Sequence, residues 1–510
     1  MHAIFDLTGL RMTERTLPPL SPEATQAPPF VDGPVRDDSA RNRLVISLLL
    51  VSAFVVILNE TIMGVAMPHL MTDLSITASA AQWLTTAFML TMAVVIPITG
   101  FLLQRFNTRP VFIAAMTLFS LGTLIAALAP GFEVLLLGRV VQASGTAIMM
   151  PLLMTTVMTL VAPASRGKTM GNISIVISVA PAIGPTISGI ILSVLDWRWM
   201  FILVLPIAIG ALLLGAARIQ NVTTPRQVPI DTFSIVLSAF GFGGLVYGLS
   251  NLGSTGESGA AAGIVPLVIG VLALALFVLR QLTLQRTDRA LLDLRTFQSR
   301  TFTVAIIMLG LSMMALFGTI ILLPIYMQNV LGLDALATGL LLLPGGITMG
   351  VLAPFVGRIY DKFGPTVLLA PGSIIVSGAL WSMTLMGEST APSLLMTAHI
   401  SLSVGLALIF TPLFTAGLAS LRPKLYSHGS AVVGTVQQLA GAAGTALFIA
   451  VMASQSAGLI ADGVNEVTAT AAGVQSAFVY GAVISLFAIP LAFFVRRSPV
   501  TANEPAPMAH

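Results

Sequence analysis

The sequence predicts an all-α polytopic membrane protein with fourteen spans, arranged as two groups of six separated by a pair. Three observations carry this. Of 510 residues, 56% are hydrophobic and only 9% are charged, against about a quarter charged in a soluble domain. Mean hydropathy is +0.96, and a spanning helix takes about 20 apolar residues, so the chain has room for well over ten helices joined by short loops. Of the 24 Lys and Arg, 22 fall on alternate loops and the two tails, the asymmetry that membrane insertion produces. The absence of Cys excludes disulfides, iron–sulfur clusters, covalent haem and thiol catalysis. A formal charge of +4 is too small to point to nucleic acid.

Before Leu44 the chain sets Pro18, Pro19, Pro22, Pro28, Pro29 and Pro34 among charged and small polar residues, with no apolar run to bury. Residues 1–43 therefore read as a disordered tail. A secretory signal would place its apolar core within about the first 15 to 30 residues; here the first such run starts at Leu44 and continues as a full span, a retained signal anchor. Met12 opens an alternative, shorter chain. Apolar runs bounded by charges or by Gly and Pro then give spans at 44–70, 81–103, 110–129, 133–161, 170–194 and 198–219, an N-terminal six-helix bundle over 44–219. After the polar stretch Gln220–Pro229 come spans at 230–251 and 264–284 and a basic connector, Gln285–Arg300, so 220–300 reads as two extra transmembrane helices. The last six spans, at 302–330, 336–357, 367–387, 393–418, 429–455 and 474–496, form a C-terminal bundle over 301–496, and 497–510 is a second tail.

The even-numbered loops carry Arg105 and Arg109; Arg166 and Lys168; Arg218 and Arg226; Arg280, Arg286, Arg289, Arg295 and Arg300; Arg358 and Lys362; and Arg422 and Lys424. The opposite side holds only Arg198, and the membrane only Arg139. Both termini are thereby expected in the cytoplasm of a cell whose plasma membrane holds the chain. One missed or invented helix would invert every later loop, so the split also supports the count.

The two groups of six read as repeats. Gly100-Phe-Leu-Leu-Gln104-Arg105-Phe106-Asn107, after the second span, lines up with Gly357-Arg-Ile-Tyr-Asp361-Lys362-Phe363-Gly364, after the tenth. The offset of 257 residues crosses eight helices, an even number, so the repeats run parallel, related by an axis along the membrane normal. Asn107 and Gly364 both suit a left-handed backbone.

Several motifs together resemble the major facilitator superfamily, specifically its 14-helix drug:proton antiporter family, over most of residues 44–496. The repeated loop resembles the superfamily's cytoplasmic signature, and Leu137-Gly-Arg139-Val-Val-Gln142-Ala-Ser-Gly145 resembles its fourth-helix Arg motif. Ala180-Pro181-Ala-Ile-Gly184-Pro185-Thr-Ile-Ser188-Gly189 is similar to the fifth-helix antiporter motif. Leu58-Asn59-Glu60-Thr61-Ile62-Met63-Gly64-Val65-Ala66-Met67-Pro68 is similar to the first-helix motif, and Asp196-Trp197-Arg198-Trp199 is typical of the same family. The resemblance implies a major facilitator fold, with gating loops at Gly100, Arg105, Arg109, Gly357, Asp361 and Lys362. Two departures stand out. The acid of the loop motif is Gln104 in the first copy, which implies a charge-based latch on one side only. The usual first-helix acid is Asn59 here, with the carboxylate moved one residue to Glu60, as in the lincomycin-resistance-like branch; that shift turns the side chain by about 100°.

Independently of family, Glu60 is the carboxylate set deep in a span, where an ionised side chain costs at least about 2.5 kcal/mol. Removal from water disfavours the charged form, which suits Glu60 to take a proton at one face and release it at the other. Otherwise it is a polar contact between helices. Arg139, the basic residue inside a span, either tunes that proton or ties helices together by hydrogen bonds. Gln142 and Thr146 share its face at i+3 and i+7. With Asn59, Met150, Gln437 and Gln438 they are the expected substrate cavity.

Pro181, Gly184, Pro185 and Ser188 form a stripe of small or kinking residues, reading as an antiporter seam, with Gly189 beside it, or as ordinary helix packing. Gly434, Gln437, Gln438, Gly441 and Thr445 form a similar stripe, lining either the cavity or a seam. Met150, Met154 and Met158 form an i, i+4, i+8 row, soft enough for a promiscuous pocket although packing accounts for it more simply. Asp231 reads as an N-cap and the Trp197, Trp199 pair as an interfacial anchor. Ala162-Pro-Ala-Ser-Arg-Gly167-Lys168-Thr169 ends like a P-loop without its first Gly or a preceding strand. The five His include no pair at metal spacing, and neither H-E-x-x-H nor G-x-S-x-G occurs.

The expected activity is proton-coupled efflux of lipophilic drugs or antibiotics by rocking of the two bundles, by a monomer that needs no cofactor beyond the proton gradient. Its partners are a small lipophilic or cationic substrate, protons and membrane lipid. The alternatives are a dedicated transporter of one metabolite, lipid or self-made antibiotic on the same fold, and a non-transporting scaffold or sensor.

Overall fold

The computed structural model describes residues 38–496 apart from 222–224, 226–228, 230 and 252–260. Most of the expected N-terminal tail (1–37, with Met12), Arg226 and the C-terminal tail 497–510 lie outside the described residues. Each expected span is a helix: α1 (Asp38–Asp73), α2 (Ala78–Arg105), α3 (Thr108–Ala127), α4 (Phe132–Leu160), α5 (Arg166–Val194), α6 (Trp199–Arg218), α7 (Thr232–Asn251), α8 (Ala261–Leu284), α9 (Arg300–Asn329), α10 (Ala335–Phe363), α11 (Thr366–Met383), α12 (Pro392–Ala419), α13 (Tyr426–Ala461) and α14 (Glu466–Leu486), continued by the short α15 (Ala488–Ala492). With α14 and α15 taken as one, all 14 are long and apolar enough to cross a membrane. α1 begins at Asp38, inside the segment read from the sequence as a tail.

Polar residues start several helices. The side chains of Thr77, Ser299, Asp334 and Asn465 accept from the N–H groups of Ala80, Phe302, Ala337 and Val467, satisfying first-turn donors that have no partner within the helix. Gly364 ends α10 with φ of +83°, which only glycine adopts freely. Its repeat partner Asn107 does not: φ is −64° and ψ 157°, because the α2–α3 link turns through two extended residues, Phe106 and Asn107.

Helices α3 and α4 meet backbone to backbone. A Cβ on Gly145 would lie 2.3 Å from the Ala115 carbonyl oxygen, and one on Gly122 2.3 Å from the Gln142 nitrogen. The two bundles meet where α5 packs on α10 and α2 on α13, with α7 of the extra pair against both α2 and α13. Equivalent glycines of the loop repeat sit at these two crossings. A Cβ on Gly100 would meet His428 Nδ1 of α13 at 3.1 Å, and one on Gly357 the Gly167 carbonyl oxygen of α5 at 2.2 Å. Asp361 accepts from the Gly167 and Lys168 N–H groups, both at 2.8 Å, at a helix start where an anion is favoured. In the other copy Gln104 Nε2 donates to the Lys424 carbonyl at 3.0 Å. Further into the seams, Thr155 donates to Ser430 at 3.1 Å and Thr411 to Ser174 at 2.8 Å.

The extra pair is stapled at the same end. Arg280 donates to both Asp231 oxygens, at 2.7 and 2.8 Å, so Asp231 does more than cap α7. Ser234 bridges Asp231 to Gln281, whose Oε1 accepts from the connector N–H groups of Leu291 and Leu292 at 2.8 and 3.3 Å. The Arg280 hydrogen bonds, with a further one from Ser234, hold the Asp231 carboxyl below its usual range. A lowered folded value means the pairing contributes at neutral pH and is lost only as pH falls through that value. Asp231→Asn is accordingly expected to lower the thermal midpoint of the detergent-solubilised protein at pH 7, and acidifying the wild type to pH 5 is expected to leave the staple intact.

Trp197 departs from the anchor role expected of it. It is buried, its Nε1 donates to Asp73 at 2.7 Å, and Arg198, stacked 4.3 Å over its ring, donates to Asp73 at 3.3 Å and to the Ala129 carbonyl at 3.1 Å. The start of α6 is thereby tied to the end of α1, with the indole N–H finding the acceptor that a buried Trp requires. The Trp197 bond, then Arg198, keep the Asp73 carboxyl below its usual range. Only Trp199, 38% exposed, is placed as an anchor would be.

Candidate functional site: a buried arginine beside Glu60

The glycine contacts bring α4 against α3, and its polar face also meets α1 and α2. Arg139 is buried, and its Nη1 donates to Gln142 Oε1 at 2.6 Å and to Asn59 Oδ1 of α1 at 3.4 Å. Its guanidinium carbon lies 4.0 Å from the centre of the Phe88 ring of α2. Gln142 Nε2 in turn donates to Thr123 of α3 at 2.8 Å, and the Thr123 hydroxyl to the Phe119 carbonyl at 2.7 Å. Thr146 donates back to the Gln142 carbonyl at 3.0 Å. Asn59 and Gln142, expected to line a substrate cavity, are both fully buried and serve Arg139 here.

Glu60 is half-buried and interacts electrostatically with Arg139. Among the described residues no ion pair joins Glu60 to Arg139. Immediately beyond Glu60, α1 seats on the α5 stripe. A Cβ on Gly184 would lie 2.3 Å from Thr61 Oγ1, and Ser188 donates to the Ile62 carbonyl at 2.9 Å. The stripe is thus a seam against the first-helix motif. Pro181 is half-buried, the Pro185 side chain lies outside the described residues, and Gly189 is exposed with open space around it, so Gly189 takes no part in the seam.

On α13, Gln437 and Gln438 are half-buried, with Gln438 Nε2 3.8 Å from Met92 Sδ of α2. A Cβ on Gly434 would meet Ile96 at 3.0 Å, and one on Gly441 would meet Phe317 of α9 at 3.1 Å, so these positions form seams. Met154 and Met158 belong to the core, and Met150 is half-buried against it. Among the loop residues, Arg105 faces the Phe101 and Phe106 rings at 6.0 and 5.9 Å, the Arg109 N–H donates to Asn221 at 3.2 Å, and Lys362 lies 5.1 Å from the Phe363 ring. The open groove on α3 beside Arg109, about 770 Å³, shares no lining residue with the Arg139 site.

Sequence reasoning missed Phe88, Thr123 and the buried His428. A Phe or Thr in an apolar span looks like any other, and only the packing of α2 and α3 on α4 brings the first two to Arg139.

A sequence profile of the Major Facilitator Superfamily matches residues 49–445. The uncharacterized MFS-type transporter YcnB of Bacillus subtilis (strain 168) is 40% identical over 461 residues, 90% of this chain and 96% of that protein. Lincomycin resistance protein LmrB of Listeria monocytogenes (serovar 1/2a, strain EGD-e) is 41% identical over 459 residues, 89% and 97% of the two chains. Among solved structures, the human organic anion transporter MFSD10 (TETRAN) superimposes with a TM-score of 0.62 at 15% identity, covering 88% of this chain and 99% of that one, a likeness of fold. Fourteen spans, the loop repeat at both crossings and these matches lead to one conclusion: the chain is a multi-pass membrane transporter, not an enzyme, and belongs to the Major Facilitator Superfamily, in its multidrug-type branch.

Proposed function

We propose that the protein exports lipophilic drugs or antibiotics across the cytoplasmic membrane in exchange for protons, with both termini in the cytoplasm. The observation that carries the reading is Glu60, a carboxylate within α1 that acts on a buried Arg139 without pairing with it. Alternate protonation of Glu60 and its attraction to Arg139 give the site two charge states, and the bundle seams give the chain a surface to open and close. The contacts through Asp361 and Gln104 lie at the end that the Lys and Arg distribution assigns to the cytoplasm. The name of the lincomycin-resistance relative favours an antibiotic as substrate. With one acid, exchange of one proton for a monovalent cation is electroneutral; a neutral substrate makes it electrogenic, worth about 2.3 kcal/mol per 100 mV.

Inside-out vesicles with an acid interior and a pH-sensitive dye test this. Lipophilic cations and lincosamide-type antibiotics are expected to trigger proton release from wild type and none from Glu60→Gln. Release that survives in Glu60→Gln, or no release for any compound from folded, inserted wild type, would sink the proposal; the second result favours a dedicated substrate.

A further inference from the structure

A buried guanidinium is costly unless its donors are paired, and the groups that touch Arg139 are neutral: Gln142, Asn59 and Phe88. The Phe88 face, 4.0 Å away, attracts a cation through its quadrupole, the more strongly in the absence of water. Phe88 is itself buried and packed with Met92, Ile96, Ala143 and Ala147, so the ring is held in place. Gln142 cannot turn its amide, because Nε2 is committed to Thr123 at 2.8 Å while Oε1 receives Arg139 at 2.6 Å. The donors run one way, from Arg139 through Gln142 and Thr123 to the Phe119 carbonyl, an order in which each bond polarises the next. Two buried donors, Arg139 Nε and Asn59 Nδ2, have no acceptor in this arrangement. Among the described residues the charged group acting on Arg139 is Glu60 of α1; the neighbours from α2, α3 and α4 are Phe88, Thr123 and Gln142, none of which titrates in the physiological range.

We infer that Phe88, together with Gln142 locked by Thr123, is a parking site that holds the Arg139 guanidinium off Glu60, and that Phe88 is thereby a positioning residue setting the pH at which the transporter exchanges protons. The inference rests on Glu60 as the proton carrier. Arg139 has two places to be. On Phe88 and Gln142 it leaves Glu60 free to take a proton; turned to Glu60, where its unused Nε finds an acceptor, it favours the carboxylate and drives the proton off. Weakening the first place favours the second.

The test is the pH midpoint of substrate-triggered proton release in reconstituted vesicles, for wild type, Phe88→Leu, Phe88→Tyr, Thr123→Val and Glu60→Gln. Phe88→Leu keeps an apolar side chain and loses the ring face; its midpoint is expected about one pH unit more acid, a tenfold weaker hold on the proton, on the scale of a desolvated cation–π contact. Phe88→Tyr keeps the face and is expected within about 0.3 unit of wild type on the same scale. Thr123→Val frees the Gln142 amide and is expected to shift in the same direction by about half a unit, the size of one lost hydrogen bond. An unmoved midpoint in Phe88→Leu with Glu60→Gln inactive overturns the inference and leaves the proton-carrier reading standing, as does a shift in Phe88→Tyr as large as that in Phe88→Leu. Should Phe88→Leu fail to insert, an unmoved Thr123→Val overturns it equally. Proton release by Glu60→Gln removes the reading beneath it.

Discussion

Gly145→Val is expected to yield no folded transporter, and Gly189→Ala to leave folding unchanged, although both glycines belong to recognisable motifs. A Cβ on Gly145 would lie 2.3 Å from the Ala115 carbonyl oxygen and 2.6 Å from the Phe119 nitrogen. Those are backbone atoms of α3 and cannot swing aside as a side chain does. Relief requires separating α3 from α4, which opens a packed seam and breaks the Gln142–Thr123 bond behind Arg139. Overpacking costs about 1–3 kcal/mol where side chains can adjust, so the expected loss exceeds about 3 kcal/mol, a large share of the roughly 5–15 kcal/mol that holds a typical domain together. At Gly189 an added Cβ meets nothing within 4 Å. Thermal challenge of a fluorescent fusion, read by size-exclusion chromatography, separates the two. A wild-type melting curve for Gly145→Val would show that the helices are not this close.

Asp361→Ala is expected to open the Arg-rich end of the molecule. Asp361 is the charged member of the loop pair, accepting two N–H groups at the start of α5 across the bundle interface. Hydrogen bonds to a charged group contribute about 1.5–3 kcal/mol, and water recovers part of that when the seam opens. At about 1.4 kcal/mol per decade, the open population is expected to rise roughly ten- to a hundredfold. Gln104→Ala removes a neutral bond of about 0.5–1.5 kcal/mol and is expected to raise it less than about tenfold. Because the chain has no Cys, Ser174→Cys provides a single thiol, at a position buried in the seam. Its labelling by an impermeant maleimide, added to the outside of inside-out vesicles, reports the opening directly. Equal labelling rates with and without Asp361 would remove the latch role.

Much of this architecture is legible in the sequence because lipid leaves a chain few choices: a backbone in hydrocarbon must satisfy itself within one helix, so apolar length alone marks the spans. Glu60 and Arg139 stand out for the cost of a charge at that depth, and Gln142 for its spacing from Arg139. The stripe on α5 is visible as a pattern, but what it packs against is not, and only the placement of Thr61 and Ile62 shows that. Phe88 and Thr123 carry no local signal, since their meaning comes from a cation on another helix. Trp197 misleads for the opposite reason: an aromatic next to Arg at a helix start resembles an interfacial anchor until Asp73, 124 residues earlier, is seen to accept its N–H.

The spacing of the two crossings has a consequence for how the molecule is made. Arg280 and Asp231 of the extra pair are 49 residues apart, Gly167 and Asp361 are 194 apart, and Gln104 and Lys424 are 320 apart. At about 5–20 residues per second of synthesis, Gln104 is in place roughly 15–65 seconds before its partner exists, long after the extra pair has closed locally. During that interval the α2 crossing face waits beside lipid and water with a glycine and an uncharged amide on it. Asp361 emerges later, when the start of α5 has long been ready to receive it. The carboxylate of the latch is therefore born with its partner already present, and the side chain that must wait, Gln104, is an uncharged amide.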